Sequence, residues 1–263
     1  MGRVKQYLLN KIQKEKSIHL TLIDPEKNRP VKAAKIANTL ENYGTTAIMV
    51  GGSTVVSVSQ LNEVVKAIKK NVNIPVILFP NNLTGISKYA DAIWFMSLLN
   101  SSNPHFITGV QALGAPIVKQ YKLEAISLGY IIIGEGSTAA YIGQAHPISH
   151  NKLELASMYA LAAQYLGMNF VYLEAGSGSK KPVSPEMVTM VKKSLDVPLI
   201  VGGGIRTSAD AEAVVKAGTD AIVTGTITEE DKSGKMIRDI IRSIKIPFDM
   251  RFSKINKSQS QDA

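Results

Sequence analysis

Short apolar runs rich in β-branched residues alternate with amphipathic segments along most of this 263-residue chain, and this alternation constrains the fold more than any other feature. The apolar runs predict strands at Ile18–Ile23, Ala47–Val50, Val76–Phe79, Ala92–Met96, Ile126–Ile133, Phe170–Leu173, Leu199–Val201 and Ala221–Val223. The amphipathic segments predict helices at Val31–Tyr43, Ser57–Lys70, Asn151–Leu166, Ser184–Ser194, Ser208–Ala217 and Glu229–Ile244. Near-continuous apolar runs are typical of parallel strands covered by helices. We therefore predict an α/β fold, a (β/α)8 TIM barrel, in preference to a doubly wound sheet, which usually has fewer strands.

The third unit leaves little room for a crossover helix. Eleven residues, NNLTGISKYAD, separate Pro80 from Ala92, and they include a glycine and two consecutive asparagines. A helix and both of its loops would have to fit within that length. We expect the third helix to be missing or reduced to a turn, which would leave a groove on the flank of the barrel. A short complete helix is the alternative.

Composition excludes several classes of protein. The chain has no cysteine, which excludes disulfides, thiolate metal sites and cysteine nucleophiles. It has no apolar run of the roughly 18 residues that a membrane span needs, and its first residues lack the apolar core of a signal peptide, so we expect a cytoplasmic protein. The net charge of +9 is spread along the chain without an arginine-rich run, which favours a solvated basic surface over a nucleic-acid interface. We expect one domain over residues 1–250 and a polar tail over residues 251–263.

Glycine-rich segments follow the last two predicted strands, where the active site of a TIM barrel lies. Strand 7 runs into VGGGIRTSADAE, which contains Gly202 and Gly203, and strand 8 runs into VTGTITEED, which contains Gly225 and Thr226. Backbone N–H groups in such loops, together with a helix N-terminus, bind phosphate. Two loops of this kind, one βα unit apart, predict a phosphate site.

Acidic residues follow two other predicted strands. Asp24 ends strand 1 in LTLIDPEK, and Ser53 follows strand 2 in VGGST. A carboxylate and a hydroxyl on neighbouring strands suit Mg²⁺, which prefers oxygen ligands, although Asp24 before a proline is also typical of a turn. Glu174 ends strand 6 in YLEAGSGS. No lysine ends a strand, which argues against Schiff-base catalysis, and we interpret His146 and His150 as ordinary loop residues.

The segments HLTLIDPEK, VGGST, YLEAGSGS, VGGGIRT and VTGT, in this order, resemble the geranylgeranylglyceryl phosphate synthases, which are related to bacterial heptaprenylglyceryl phosphate synthase. The resemblance runs from about residue 17 to 245 and is to the larger, archaeal-type subgroup. It implies a barrel without a standard third helix. It also implies Mg²⁺-dependent transfer of a geranylgeranyl group from its diphosphate to sn-glycerol 1-phosphate, the first ether bond of archaeal membrane lipids.

The resemblance further implies roles for individual residues. Asp24 and Ser53 are the expected Mg²⁺ ligands, and Glu174 is expected to orient the attacking hydroxyl or to accept its proton. The expected glycerol phosphate contacts are Tyr172, Leu173, Glu174, Ala175, Gly176, Ser177, Gly178, Gly202, Gly203, Gly225 and Thr226. In one departure, Leu22 stands where many relatives have a lysine, so a cation for the diphosphate would have to come from elsewhere.

The flank groove is the natural place for a prenyl chain. Trp94, Phe95 and Met96 on strand 4 would lie beside it, although ordinary barrel core is an alternative interpretation of these side chains. We expect a homo-oligomer that contacts a membrane surface transiently. The alternatives are a different prenyl length such as heptaprenyl, a phosphosugar isomerase or lyase, and a non-catalytic phosphate-binding protein.

Overall fold

Eight parallel strands form a closed barrel in the computed structural model, which describes residues 2–54, 57–231 and 233–245. Each strand pairs with the next along the chain, and β8 closes the barrel by pairing with β1. The strands are β1 (Ile18–Ile23), β2 (Ala47–Gly51), β3 (Val76–Phe79), β4 (Ala92–Leu98), β5 (Glu124–Ile132), β6 (Phe170–Glu174), β7 (Leu199–Gly202) and β8 (Ala221–Thr224). The predicted TIM barrel is confirmed, and each predicted strand end lies within two residues of its observed position.

Helices surround the barrel and also close one end of it. They are α1 (Arg3–Glu15), α2 (Pro30–Tyr43), α3 (Val58–Lys69), α4 (Val110–Gln120), α5 (Thr138–Ile142), α6 (Leu153–Tyr165), α7 (Pro185–Lys193), α8 (Ser208–Lys216), α9 (Thr226–Glu230) and α10 (Lys235–Ile244). The predictions for α2, α3, α6, α7 and α8 are confirmed. The sequence-based prediction missed α1, α4 and α5.

The missed helices depend on tertiary contacts. Helix α1 packs Val4 and Leu8 against the barrel interior, and the carboxylate of Glu124 accepts hydrogen bonds from the backbone N–H groups of Val4 and Lys5, both at 2.7 Å. A residue 120 positions away therefore supplies the cap that usually comes from the helix N-terminus itself. Helix α4 contains Pro116, a residue that normally interrupts a helix.

The third unit has the reduced form that its length predicts. Between β3 and β4 the chain makes only a 3-10 turn at Leu83–Gly85. A crossover helix would cover side chains such as Ile93 and Phe95. Here they pack in one cluster with Ile86, which follows the turn, and with Val118 of α4. The gap leaves a groove on this flank of the barrel.

The predicted helix Glu229–Ile244 is wrong as a single element, because two helices, α9 and α10, occupy this stretch. Asp231 separates them: its Oδ1 accepts hydrogen bonds from the backbone N–H groups of Ser233 and Gly234 at 3.2 and 3.1 Å, and its Oδ2 accepts one from Ile237 at 3.1 Å. Gly234 has φ +68°, a left-handed conformation that glycine adopts readily. This capping turn separates the two helices, although the apolar pattern continues through the stretch.

Alternate strand residues build an inner and an outer core. On β6, Phe170 and Tyr172 lie inside the barrel, whereas Val171 and Leu173 pack beneath the helices. Since side chains alternate along a strand, Glu174 belongs to the inner set with Tyr172. The barrel interior thus carries an acid at the carboxyl end of β6.

No helix among the described residues is long and apolar enough to cross a membrane. A cytoplasmic location stays a prediction. The single domain over residues 1–250 also stays a prediction, because the description ends at residue 245, and the predicted tail over 251–263 lies outside the described residues.

Candidate active site

A large cavity opens at the carboxyl ends of the strands and continues along the flank into the gap beside β4. It brings together nine of the residues predicted from the sequence: Asp24, Ser53, Tyr172, Glu174, Ser177, Gly178, Gly203, Gly225 and Thr226. They come from the ends of five strands, which only barrel closure places around one opening. The position agrees with the general location of active sites in this fold.

Glu174 is the buried acid of the cavity, with 8% of its surface exposed. Burial raises the pKa of its carboxyl above the usual range, against the opposing effect of hydrogen bonds from the Tyr172 hydroxyl and the Gly176 N–H. The Gly176 bond to Oε1 measures 2.7 Å. A carboxyl with a raised pKa, held in place by two donors, can accept a proton from a substrate hydroxyl.

Three aromatic rings form the floor beneath Glu174. The ring centroids of Phe79, Tyr130 and Tyr172 lie 5.3 to 5.8 Å from one another. Burial, and then the Glu174 charge, raise the pKa of the phenols of Tyr130 and Tyr172 well above the usual value, so both remain protonated donors. The sequence analysis missed Phe79 and Tyr130, although each lies near the carboxyl end of a predicted strand.

Glycine at positions 202 and 203 makes room for these side chains. A β-carbon on Gly202 would collide with the hydroxyl of Tyr172. A β-carbon on Gly203 would lie 2.6 Å from both Glu174 Oε1 and the Gly176 nitrogen, and Gly203 has φ +79°. The strand-7 loop can therefore approach the strand-6 acid only because it lacks side chains.

If the strand-7 loop binds the expected ligand, sn-glycerol 1-phosphate, Gly203→Val will weaken that binding while the barrel remains folded. The branched side chain would displace Glu174 and the Gly176 backbone and would also strain a left-handed residue. Calorimetric titration beside a thermal melt measures both effects. Unchanged affinity in a folded variant would remove Gly203 from the site.

Asp24 and Ser53 line the cavity on the β1–β2 side. Asp24 Oδ1 accepts the Glu26 N–H at 2.9 Å, and its Oδ2 lies 3.9 Å from Lys27 Nζ. Gly52 lies against this carboxylate, since a β-carbon there would be 2.9 Å from the carboxyl carbon. No group of three or more His, Asp or Glu side chains that could hold a metal ion is found among the described residues. One carboxylate with a hydroxyl nevertheless fits Mg²⁺, which commonly takes one or two protein ligands and completes its shell with water and substrate oxygens.

Some predicted contacts do not reach the cavity through their side chains. The side chains of Leu173 and Ala175 are buried in the outer core beneath the helices, so a contact with the ligand would have to come from their backbone, and it stays a prediction. Gly176 and Gly202 are also absent from the cavity wall: Gly176 packs against Ser137 and donates its N–H to Glu174, and Gly202 packs against the Tyr172 hydroxyl. On strands buried on both faces, hydrophobicity does not indicate which residues face inward.

Strand β4 faces both compartments. Trp94 is fully buried inside the barrel, where its ring lies 5.2 Å from that of Phe170, and Met96 packs with the same inner cluster. Phe95 packs with the outer cluster at the helix gap. All three β4 side chains contribute to the cavity wall. Both interpretations, barrel core and groove wall, therefore hold for parts of this strand.

Two basic side chains that the sequence analysis did not single out also line the cavity, Lys27 and Arg206. The guanidinium of Arg206 is paired with the carboxylate of Glu230 on α9. By contrast, His146 and His150 are exposed and lie outside the cavity wall, in agreement with their interpretation as loop residues.

Comparison with known proteins gives a consistent result. The chain matches the model of the PcrB family over residues 10–244. Geranylgeranylglyceryl phosphate synthase from Pyrococcus abyssi is 57% identical over 233 residues, which cover 89% of this chain and 92% of the relative. The enzyme of the same name from Thermofilum pendens is 54% identical over 243 residues, covering 92% and 94% of the two chains.

A solved structure agrees with these relatives. The crystal structure of (S)-3-O-geranylgeranylglyceryl phosphate synthase from Thermoplasma acidophilum, in complex with its substrate sn-glycerol-1-phosphate, superimposes with a TM-score of 0.90. It is 43% identical and covers 93% of this chain and 99% of its own.

Proposed function

The chain belongs to the PcrB family, and from that premise we propose that it transfers a geranylgeranyl group from geranylgeranyl diphosphate to sn-glycerol 1-phosphate with the help of Mg²⁺. The products are geranylgeranylglyceryl phosphate and diphosphate. The relatives confirm the predicted family and the predicted enzyme class, a prenyltransferase. The complex of the Thermoplasma acidophilum enzyme supports sn-glycerol 1-phosphate as the acceptor.

The continuity of the cavity carries this proposal. Its mouth is polar, with Asp24, Glu174 and the glycine loops, and its extension beside β4 is lined by apolar side chains such as Ile86, Phe95 and Val118. A substrate that combines a diphosphate with a long hydrocarbon needs both environments in one connected space. A phosphosugar would leave the apolar extension without a ligand.

The residues at the mouth suit ether formation. The C–O bond between the prenyl carbon and the diphosphate breaks, and the glycerol hydroxyl forms the new C–O bond and loses its proton. Glu174 is placed to accept that proton, and the Tyr172 phenol, which donates its hydrogen bond to Glu174, is placed to hold this carboxylate in position and to accept a hydrogen bond from a neighbouring hydroxyl. Mg²⁺ held by Asp24 and Ser53 would neutralise charge on the diphosphate leaving group.

The strand-7 and strand-8 loops suit the phosphate of the acceptor. Gly203 follows β7, and Gly225 and Thr226 follow β8, whereas Ser53 follows β2, which β1 separates from β8. We therefore assign the acceptor phosphate to these loops and the diphosphate to the β1–β2 side. In this assignment each anionic group has its own loops, and the reacting atoms meet near Glu174.

A prenyl-transfer assay with purified protein tests the proposal. Labelled sn-glycerol 1-phosphate is incubated with geranyl, farnesyl, geranylgeranyl or heptaprenyl diphosphate, with and without EDTA. We expect an organic-soluble phosphate product that is formed fastest from geranylgeranyl diphosphate, is lost with EDTA and is restored by Mg²⁺. A preference for heptaprenyl diphosphate would identify the alternative donor, and no product from any donor would refute prenyl transfer. The predicted homo-oligomer and membrane-surface contact stay predictions.

A further inference from the structure

The phosphate side of the cavity obtains no positive charge from strand β1. A β-carbon on Gly225 would lie 3.5 Å from the β-carbon of Leu22, so position 22 borders the strand-8 loop. The side chain there is apolar. Among the described residues, the lysine and arginine side chains that line the cavity are Lys27 and Arg206. Lys27 lies beside the carboxylate of Asp24 on the β1 side, which leaves Arg206 as the basic residue carried by a phosphate loop.

The backbone holds Arg206 firmly at the rim. The backbone N–H groups of Arg206 and Thr207 donate to Asp210 Oδ2 at 3.1 and 2.9 Å, as part of the capping box that begins α8. Ile205, the preceding residue, is buried with 5% exposure. Replacing the Arg206 side chain leaves all of these contacts in place. The side chain, by contrast, has only part of its surface covered, with 41% exposed.

The partner of Arg206 comes from the other phosphate loop. Glu230 lies on α9, which follows Gly225 directly, and 48% of its side chain is exposed. An ion pair with this exposure contributes little to stability, because water screens it and two long side chains must be ordered. Releasing the guanidinium from Glu230 therefore costs little free energy. A phosphate group offers the guanidinium two oxygens in a geometry that matches its paired N–H donors.

We propose that Arg206 binds the phosphate of the glycerol phosphate substrate. In the free enzyme Glu230 holds this arginine at the rim, and the phosphate then takes the place of Glu230 as the partner of Arg206. The inference rests on the proposed function and adds a residue and an exchange step to it. Glu230 then has two opposite effects: it positions Arg206 in the free enzyme, and it competes with the substrate anion for the same guanidinium. A purely structural salt bridge would not compete with the substrate, so the affinity of a variant without the Glu230 charge distinguishes the two roles.

Calorimetric titration with sn-glycerol 1-phosphate tests the proposal on wild type, Arg206→Ala, Arg206→Lys and Glu230→Gln. We expect Arg206→Ala to weaken binding roughly tenfold to a hundredfold, as for loss of a charged hydrogen-bonded partner. Arg206→Lys should recover part of the loss. Glu230→Gln should bind about two- to fivefold more tightly than wild type, since the competing carboxylate is gone. Added salt should weaken wild-type binding more steeply than that of Arg206→Ala.

Lys180→Ala provides the matched control, because Lys180 is an exposed cation on the strand-6 loop and is not part of the cavity wall. Its affinity should equal that of wild type, and all variants should melt near the wild-type temperature. If folded Arg206→Ala binds sn-glycerol 1-phosphate as tightly as wild type, the inference is overturned. It is also overturned if the variant raises only the KM for the prenyl diphosphate in the prenyl-transfer assay. Weaker binding by Glu230→Gln would overturn the exchange step, because it would show that Glu230 does not compete with the phosphate for Arg206. Absence of binding by the wild type would instead count against the proposed function.

Discussion

Asp24→Asn is expected to reduce prenyl transfer by more than about a thousandfold while sn-glycerol 1-phosphate binds nearly as well as to wild type. If Asp24 holds Mg²⁺ as proposed, losing the ion at the leaving group would remove several kcal/mol of transition-state stabilisation, which corresponds to a rate change of this size. The acceptor phosphate is assigned to the strand-7 and strand-8 loops, which do not include the proposed metal ligands, so its binding should not depend on Asp24.

Two measurements separate these effects. Single-turnover assays at increasing Mg²⁺ report the loss of turnover, and calorimetry reports acceptor affinity. Asp196→Asn is a suitable control, because Asp196 is exposed and precedes β7, at the barrel end opposite the cavity. An equal loss of glycerol phosphate affinity in Asp24→Asn would show that the two phosphate sites had been assigned to the wrong loops.

Glu174→Gln is expected to slow the chemical step by about 10²–10⁴-fold, the usual contribution of a general base, with a much smaller effect on binding. The amide has nearly the same size and still accepts the Gly176 N–H, so the surrounding packing should persist. It cannot take the proton that the glycerol hydroxyl releases. If the C–O bond to diphosphate breaks before the hydroxyl attacks, the loss should fall at the low end of this range.

The pH dependence of the single-turnover rate provides a second test of Glu174. The base must be ionised, and burial raises the pKa of this carboxyl. The wild-type rate should therefore fall on acidification already above the usual carboxyl range, and Glu174→Gln should lose that acidic limb. Glu186→Gln, at an exposed position on α7, is the control and should behave as wild type. A rate for Glu174→Gln within about twofold of wild type would mean that the carboxylate only positions the substrate.

The order of the eight strands, the reduced third unit and the main polar residues of the cavity follow from local sequence. Apolar β-branched runs specify buried parallel strands, and the eleven residues between Pro80 and Ala92 are too few for a crossover helix. The sequence also shows the glycine loops after strands 7 and 8 and the acids after strands 1 and 6. They can be recognised because function requires unusual residues at strand ends. These signals depend on neighbours in the chain, so one sequence was enough to predict them.

Other features depend on residues that are distant in the chain. Glu124 caps α1 from 120 positions away, and Arg206 meets Glu230 only because barrel closure brings two loops together. The inward direction of Tyr172 and the outward direction of Leu173 carry no signal in a strand that is apolar on both faces. Amino-acid sequence thus determined the chain of βα units and the chemistry at their ends. Tertiary packing decided which side chains face the cavity and which become partners, because those choices depend on the space and hydrogen-bonding groups that other elements provide.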